Sequence, residues 1–127
     1  MCRFALAVLA GALALTLAVP ARAATVATTA PFPGGDVTSG RARCIAVNAD
    51  SKPKELTSMQ LIGAGGLVLQ ALAGPTSVGP GASELTAYAD LTTDYPVYCR
   101  FVYQGKFRAS FTYYNGAEVE VIPATSK

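Results

Sequence analysis

VYCRFVYQGKFRASFTYY, residues 97–114, alternates apolar and polar side chains and carries one cysteine on its apolar side. In an extended chain successive side chains point to opposite faces. Val97, Cys99, Phe101 and Tyr103 therefore share one face, and Tyr98, Arg100, Val102 and Gln104 share the other. The same period runs on through Phe107, Ala109, Phe111 and Tyr113. Read as a hairpin, the two apolar sets fall on one side only if the loop has an odd number of residues. Gln104-Gly105-Lys106 is such a loop; it pairs Tyr103 with Phe107, Phe101 with Ala109, Cys99 with Phe111 and Val97 with Tyr113. A cysteine pointing inward among aromatics raises the question of its partner.

The N-terminus answers part of it. Met1-Cys2-Arg3 is a short positive start, and FALAVLAGALALTLAV (4–19) is apolar without a charge. Pro20-Ala21-Arg22-Ala23 then supplies a small-x-small site, with Ala24 as the first mature residue. That order is the layout of a secretory signal peptide, with an alanine-rich core of bacterial type. The run is short for a spanning helix, which needs about 20 apolar residues; an uncleaved anchor is the alternative. Residues 1–23 are read as the signal, 24–40 as an extended leader or edge strand, and 41–127 as the domain. The expected location is secreted or periplasmic, with no membrane span once the signal is removed.

Cleavage changes two counts. Of three cysteines Cys2 departs, leaving Cys44 and Cys99. In an oxidising compartment these two should form a disulfide, with a pair of separate buried thiols as the alternative. Arg3 and Arg22 also depart, and they account for the whole formal charge of +2. The mature chain balances eight basic against eight acidic residues. It has no general field to attract nucleic acid.

From residue 41 onward short apolar runs recur: RARCIAV (41–47), LTSMQLI (56–62), LVLQAL (67–72), ELTAYADL (84–91), PVYCRFVY (96–103), FRASFTYY (107–114) and AEVEVIP (117–123). Turn-rich stretches separate them, and no window sustains a helical period for three turns. Such spacing predicts an all-β sandwich or barrel. Cys44 inward takes Ala42 and Ala46 with it and turns Ile45 and Val47 out. Leu85, Ala87, Ala89 and Leu91 are expected on one face of a single strand. Asn115-Gly116 is a strong two-residue hairpin signal, yet it would set Tyr113 against Glu118. A bulge near Tyr113-Tyr114, or a last strand that leaves for the other sheet, would resolve the parity. Val119 and Val121 are expected inward on that strand.

The arrangement resembles an immunoglobulin-like β-sandwich. An early cysteine in Arg43-Cys44-Ile45 and a late one in Tyr98-Cys99-Arg100 would bridge two sheets, and Val78-Gly79-Pro80-Gly81-Ala82-Ser83-Glu84-Leu85 resembles the Pro-Gly turn before a strand in small exported bacterial modules of this class. The match covers roughly 41–122. It lacks the third-strand tryptophan, and Val97 stands where a tyrosine precedes the second cysteine. The resemblance implies an antiparallel sandwich of about seven strands with one inter-sheet disulfide, and it carries no active site.

Catalytic constellations are thin. MQLIGAGG (59–66) has the glycines of a dinucleotide fingerprint, but Val68 stands at its sixth position and no helix can follow through Gly74 and Pro75, so it reads as a hairpin turn. Serines occur without any histidine to act as base. Two thiols do not complete a zinc site. Glu118 and Glu120 alternate outward as a solvated face would. The chain is read as a non-enzymatic module with no cofactor or metal. Tyr98, Arg100, Lys106, Arg108 and Tyr114 form the candidate binding face, since arginine with tyrosine is favoured at recognition surfaces. Three cations there would suit an acidic protein or an anionic glycan. Competing readings are a structural or envelope-associated subunit that donates the leader 24–40 as a strand, and a small hydrolase.

Overall fold

The computed structural model describes residues 23–32, 40–91, 96–116 and 119–126. Residues 1–22 of the expected signal peptide, residues 33–39 of the expected leader and the carboxylate Glu118 lie outside them. The strands are β1 Thr25–Thr29, β2 Gly40–Asn48, β3 Lys54–Ile62, β4 Val68–Leu72, β5 Thr76–Val78, β6 Ser83–Leu85, β7 Ala89–Leu91, β8 Tyr98–Tyr103, β9 Phe107–Tyr114 and β10 Val119–Ser126. All pair antiparallel in one sheet of order β4-β3-β8-β1-β10-β9-β2-β6, with β5 also on β3 and β7 also on β2. The sheet curls until its ends approach, so the body is a nearly closed, barrel-like all-β fold.

The hairpin expected over 97–113 does not form. β8 pairs with β3 and β1, while β9 pairs with β2 and β10. Gln104-Gly105-Lys106 is the turn of an arch that carries the chain from one wall to the opposite one. Gly105 adopts φ +86° there, a conformation that glycine takes without strain. Both aromatic faces still point inward, but they meet across the core. The Tyr103 and Phe107 rings approach to 5.0 Å between centroids, and Phe111 lies opposite Cys44 in β2. Parity alone cannot distinguish a hairpin from an arch, because each buries the same side of both strands. The long register between β2 and β9, from Arg41–Tyr114 to Asn48–Phe107, decides for the arch.

Cys44 and Cys99 are disulfide-bonded, with Cα atoms 5.8 Å apart. Their strands, β2 and β8, are not neighbours in the sheet, so the bond crosses the interior. Around it Leu56, Met59, Leu61, Val97, Phe101 and Phe111 are fully buried, and burying each side chain contributes about 1.5–3 kcal/mol. Ala42, Cys44 and Ala46 point inward as expected, with Ile45 and Val47 half-buried on the outer side.

Other expectations are corrected in detail. The run 84–91 splits into β6 and β7 and its phase flips: Leu85 is exposed, Thr86 is buried, and Ala89 and Leu91 face in. The pairing with β2 slips by one residue between Ile45–Leu85 and Ala42–Ala89, which inverts the faces. LVLQAL likewise becomes β4, and the chain re-enters the sheet as β5 after Gly74-Pro75. The glycine run after β3 is a hairpin turn as expected: the 3₁₀ segment Ala64–Gly66 joins β3 to antiparallel β4. Within the leader, Thr25–Thr29 forms an interior strand: β1 is held by β8 on one side and β10 on the other. Phe32, just beyond it, pairs with Val97 and stacks on Phe111 and Tyr113.

Of the two routes, the last strand takes the second: it leaves for the other wall, and its register on β9 runs without a bulge at Tyr113-Tyr114. Its first half pairs with β9 (Tyr114 with Val119, Tyr113 with Glu120), so Tyr113 still stands opposite a glutamate, the parity that an even connection gives. Its second half pairs with β1, joining the two walls. Pro123, which has no N–H to donate, falls at the handover. Because Ile122 takes the position opposite Phe111, Val119 and Val121 face out, against expectation.

Candidate functional site

The five residues of the expected binding face do not share a surface. Arg100 pairs with Gln60 of β3 and Thr28 of β1, and Tyr98 with Ile62 of β3. Their side chains alternate with Cys99 and so point outward from the β8 wall. Arg108 and Tyr114 alternate with inward Ala109, Phe111 and Tyr113, and they point outward from the β9 wall. Since Cys44 and Cys99 meet across the interior, the outer faces of β2 and β8 look in opposite directions. Lys106 is exposed in the arch turn between them, its carbonyl accepting from the Ala49 N–H at 2.9 Å. Two of the five, Arg108 and Tyr114, are brought into a different and larger constellation.

That constellation is the outer face of β10, β9, β2 and β6–β7. Register builds it row by row. Val119, Tyr114, Arg41 and Asp90 form one row, and Val121, Thr112 and Arg43 the next. Pro123, Ser110, Ile45 and Leu85 form the third, and Arg108, Val47 and Ser83 the last. The polar-out rule of a half-buried sheet is broken here. Val119 is 64% exposed, Val121 58%, Tyr114 44% and Leu85 41%, with Ile45 and Val47 half-buried between them. Single exposed apolar residues are ordinary, whereas a contiguous set rimmed by polar groups marks an interaction surface.

Three arginines flank this apolar centre. Arg41 meets Asp90 at 3.3 Å, an exposed pair of small energetic consequence. Arg43 lies over the ring of Tyr88, 4.4 Å from its centroid, and its Nε is buried without a hydrogen-bond partner among the described residues. Stacking a guanidinium on an aromatic face holds the cation in place electrostatically. Arg108, at the far end of β9, makes no ion pair among the described residues. Alternation in the sequence placed Ile45 and Val47 on the outer side. For Val119 and Val121 the signal was the parity of the Asn115-Gly116 turn, which sets both valines opposite outward residues of β9, as the observed register does.

Behind this face the sheet is pinned by polar groups that the sequence did not advertise. The Cys44 N–H donates to Thr86 Oγ1 at 3.0 Å, and the Cys99 N–H donates to Thr29 Oγ1 at 2.9 Å. Asn48 is 1% exposed; its Nδ2 donates to the carbonyls of Lys52 and Val78, and its Oδ1 accepts from the Asp50 N–H. Burial pushes the Tyr103 phenol above its ordinary range.

Among the described residues no three His, Cys, Asp or Glu side chains gather as a metal set would require. None of their helices is long and apolar enough to cross a membrane. A shallow depression lined by Thr25, Val26, Thr28, Thr125 and Ser126 lies where β1 meets β10 and holds no charged group. No protein-family model, characterised protein or solved structure matches the chain.

Proposed function

We propose that this chain is an exported, non-enzymatic binding module whose working surface is the outer face of β10, β9, β2 and β6. The observation that carries the reading is the exposed valine pair Val119 and Val121 beside Tyr114, with Ile45 and Leu85 on the same face two and three strands away, on a sheet whose opposite side already fills the core. A sheet face that leaves this much apolar surface in water gains free energy when a partner covers it. Export rests on the signal-like N-terminus and accords with a disulfide that persists in an oxidising compartment. Within this reading the kinship with immunoglobulin-like modules lies in the cystine tying an early strand to a late one.

The test compares immobilised wild-type protein with the Val121→Asp variant, at matched melting temperature, for retention of proteins from the exported fraction of the producing cells. Loss of a retained partner from the variant supports the reading. Identical retention by both proteins overturns it.

A further inference from the structure

We infer that the partner presented to this face is a protein segment combining acidic and apolar side chains; the inference rests on the binding-face reading above. Charge segregation is the first observation. The mature chain is charge-balanced, yet the outward positions of these strands carry Arg41, Arg43 and Arg108 against one carboxylate, Asp90. A face with a surplus of cations attracts carboxylates and repels basic surfaces.

The layout of those cations is the second. Arg41 and Arg43 lie at one end of β2, and Arg108 pairs with Val47 towards the other. Arg41 and Val47 are six residues apart, so the cations bracket a stretch of about 20 Å at ordinary strand rise. Ile45 and Leu85 occupy the ground between, and Val121 lies two strands from Arg43 in the same row. A complementary ligand has carboxylates at its ends and aliphatic groups at its centre, over the length of a short extended segment. An anionic polysaccharide would answer the arginines but leave the aliphatic centre without a partner, and burial of that centre is the larger driving force.

Order is the third. Arg43 is already held over the Tyr88 ring, so little side-chain freedom is left to lose when a carboxylate arrives. Planar, two-pronged pairing of guanidinium with carboxylate then fixes the register of the bound segment.

The experiment titrates the disulfide-bonded exported chain with three synthetic ten-residue peptides, one of Glu and Leu, one of Lys and Leu, and one of Glu and Ser. Heparin and anionic phospholipid vesicles serve as further probes, and the methyl signals of Ile45, Leu85 and Val121 report occupancy. The Glu/Leu peptide is expected to shift those signals and to bind at least tenfold more tightly than the other two peptides. Replacing Arg43 and Arg108 together by Ser should weaken it at least tenfold with the melting temperature unchanged. Equal affinity for the Lys/Leu peptide, abolished by Val121→Asp, removes the acidic preference and leaves the binding face standing. Tighter binding of heparin or of vesicles overturns the inference in favour of a glycan or a lipid surface. If no probe moves these methyl signals, the inference and the binding-face reading both fall.

Discussion

Thr86 and Thr29 flank the disulfide from opposite walls, and each hydroxyl accepts a hydrogen bond from the backbone N–H of one bonded cysteine. In both places the neighbouring strand slips register. The β2 pairing shifts between Leu85 and Ala89, and the β8 pairing shifts between Thr28–Arg100 and Phe32–Val97. Where the strand bends away, its carbonyl no longer reaches the cysteine N–H, and the threonine hydroxyl takes its place. An unpartnered N–H at so dry a position costs about 1–3 kcal/mol. Thr86→Val and Thr29→Val keep the shape and delete the acceptor, so each should lower stability by roughly that amount in denaturant titrations. The Ser variants should retain most of it. Nothing in the local sequence distinguishes these threonines from others, since their role exists only once the cysteine strands lie beside them.

At the scale of elements the decisive feature is how the sheet's two ends are drawn together. β5 and β6 are consecutive in the chain but lie at opposite ends of the sheet, and Asn48 at the end of β2 ties them. Its side chain holds Val78 of β5, its backbone N–H donates to the Ala82 carbonyl, and its own carbonyl accepts from Gly81. Further along the seam, Gln70 of β4 reaches the Tyr88 carbonyl at 3.4 Å. Among the described residues the seam is therefore closed by side chains and turns, without a ladder. Asn48→Asp preserves size but turns two donors into acceptors facing carbonyl oxygens, so a buried carboxylate would have no donor on that side. The expected loss is about 3 kcal/mol or more, read by chemical denaturation at pH 7. Amide exchange should accelerate first in β5 and β6, because they depend most directly on this knot.

For the molecule as a whole, the disulfide sets the distance between two walls that share no ladder at that point. It closes a loop of 55 residues, worth roughly 4 kcal/mol in the chain-entropy account. A domain of about 100 residues has only 5–15 kcal/mol in total. The Cys44→Ala, Cys99→Ala double variant should therefore lose a large part of its stability, with a melting point lower by tens of degrees or no cooperative transition. Alkylation of the folded protein without prior reduction should modify neither cysteine, as mass spectrometry would show. The composition of the strands, the inward set around Cys99 and the pairing of two cysteines all followed from local alternation and counting, because side-chain period and covalent inventory are properties of the chain alone. Partner choice between strands was another matter. Tyr103, Phe107, Phe111 and Cys99 face inward equally in a hairpin and in an arch, and only the competition of β2 and β3 for those edges selects the arch. The face of Val119 and Val121 follows from the even register that the Asn115-Gly116 turn already implied; which strands lie beside them, and with that the candidate binding surface, was settled only when the walls closed around the core.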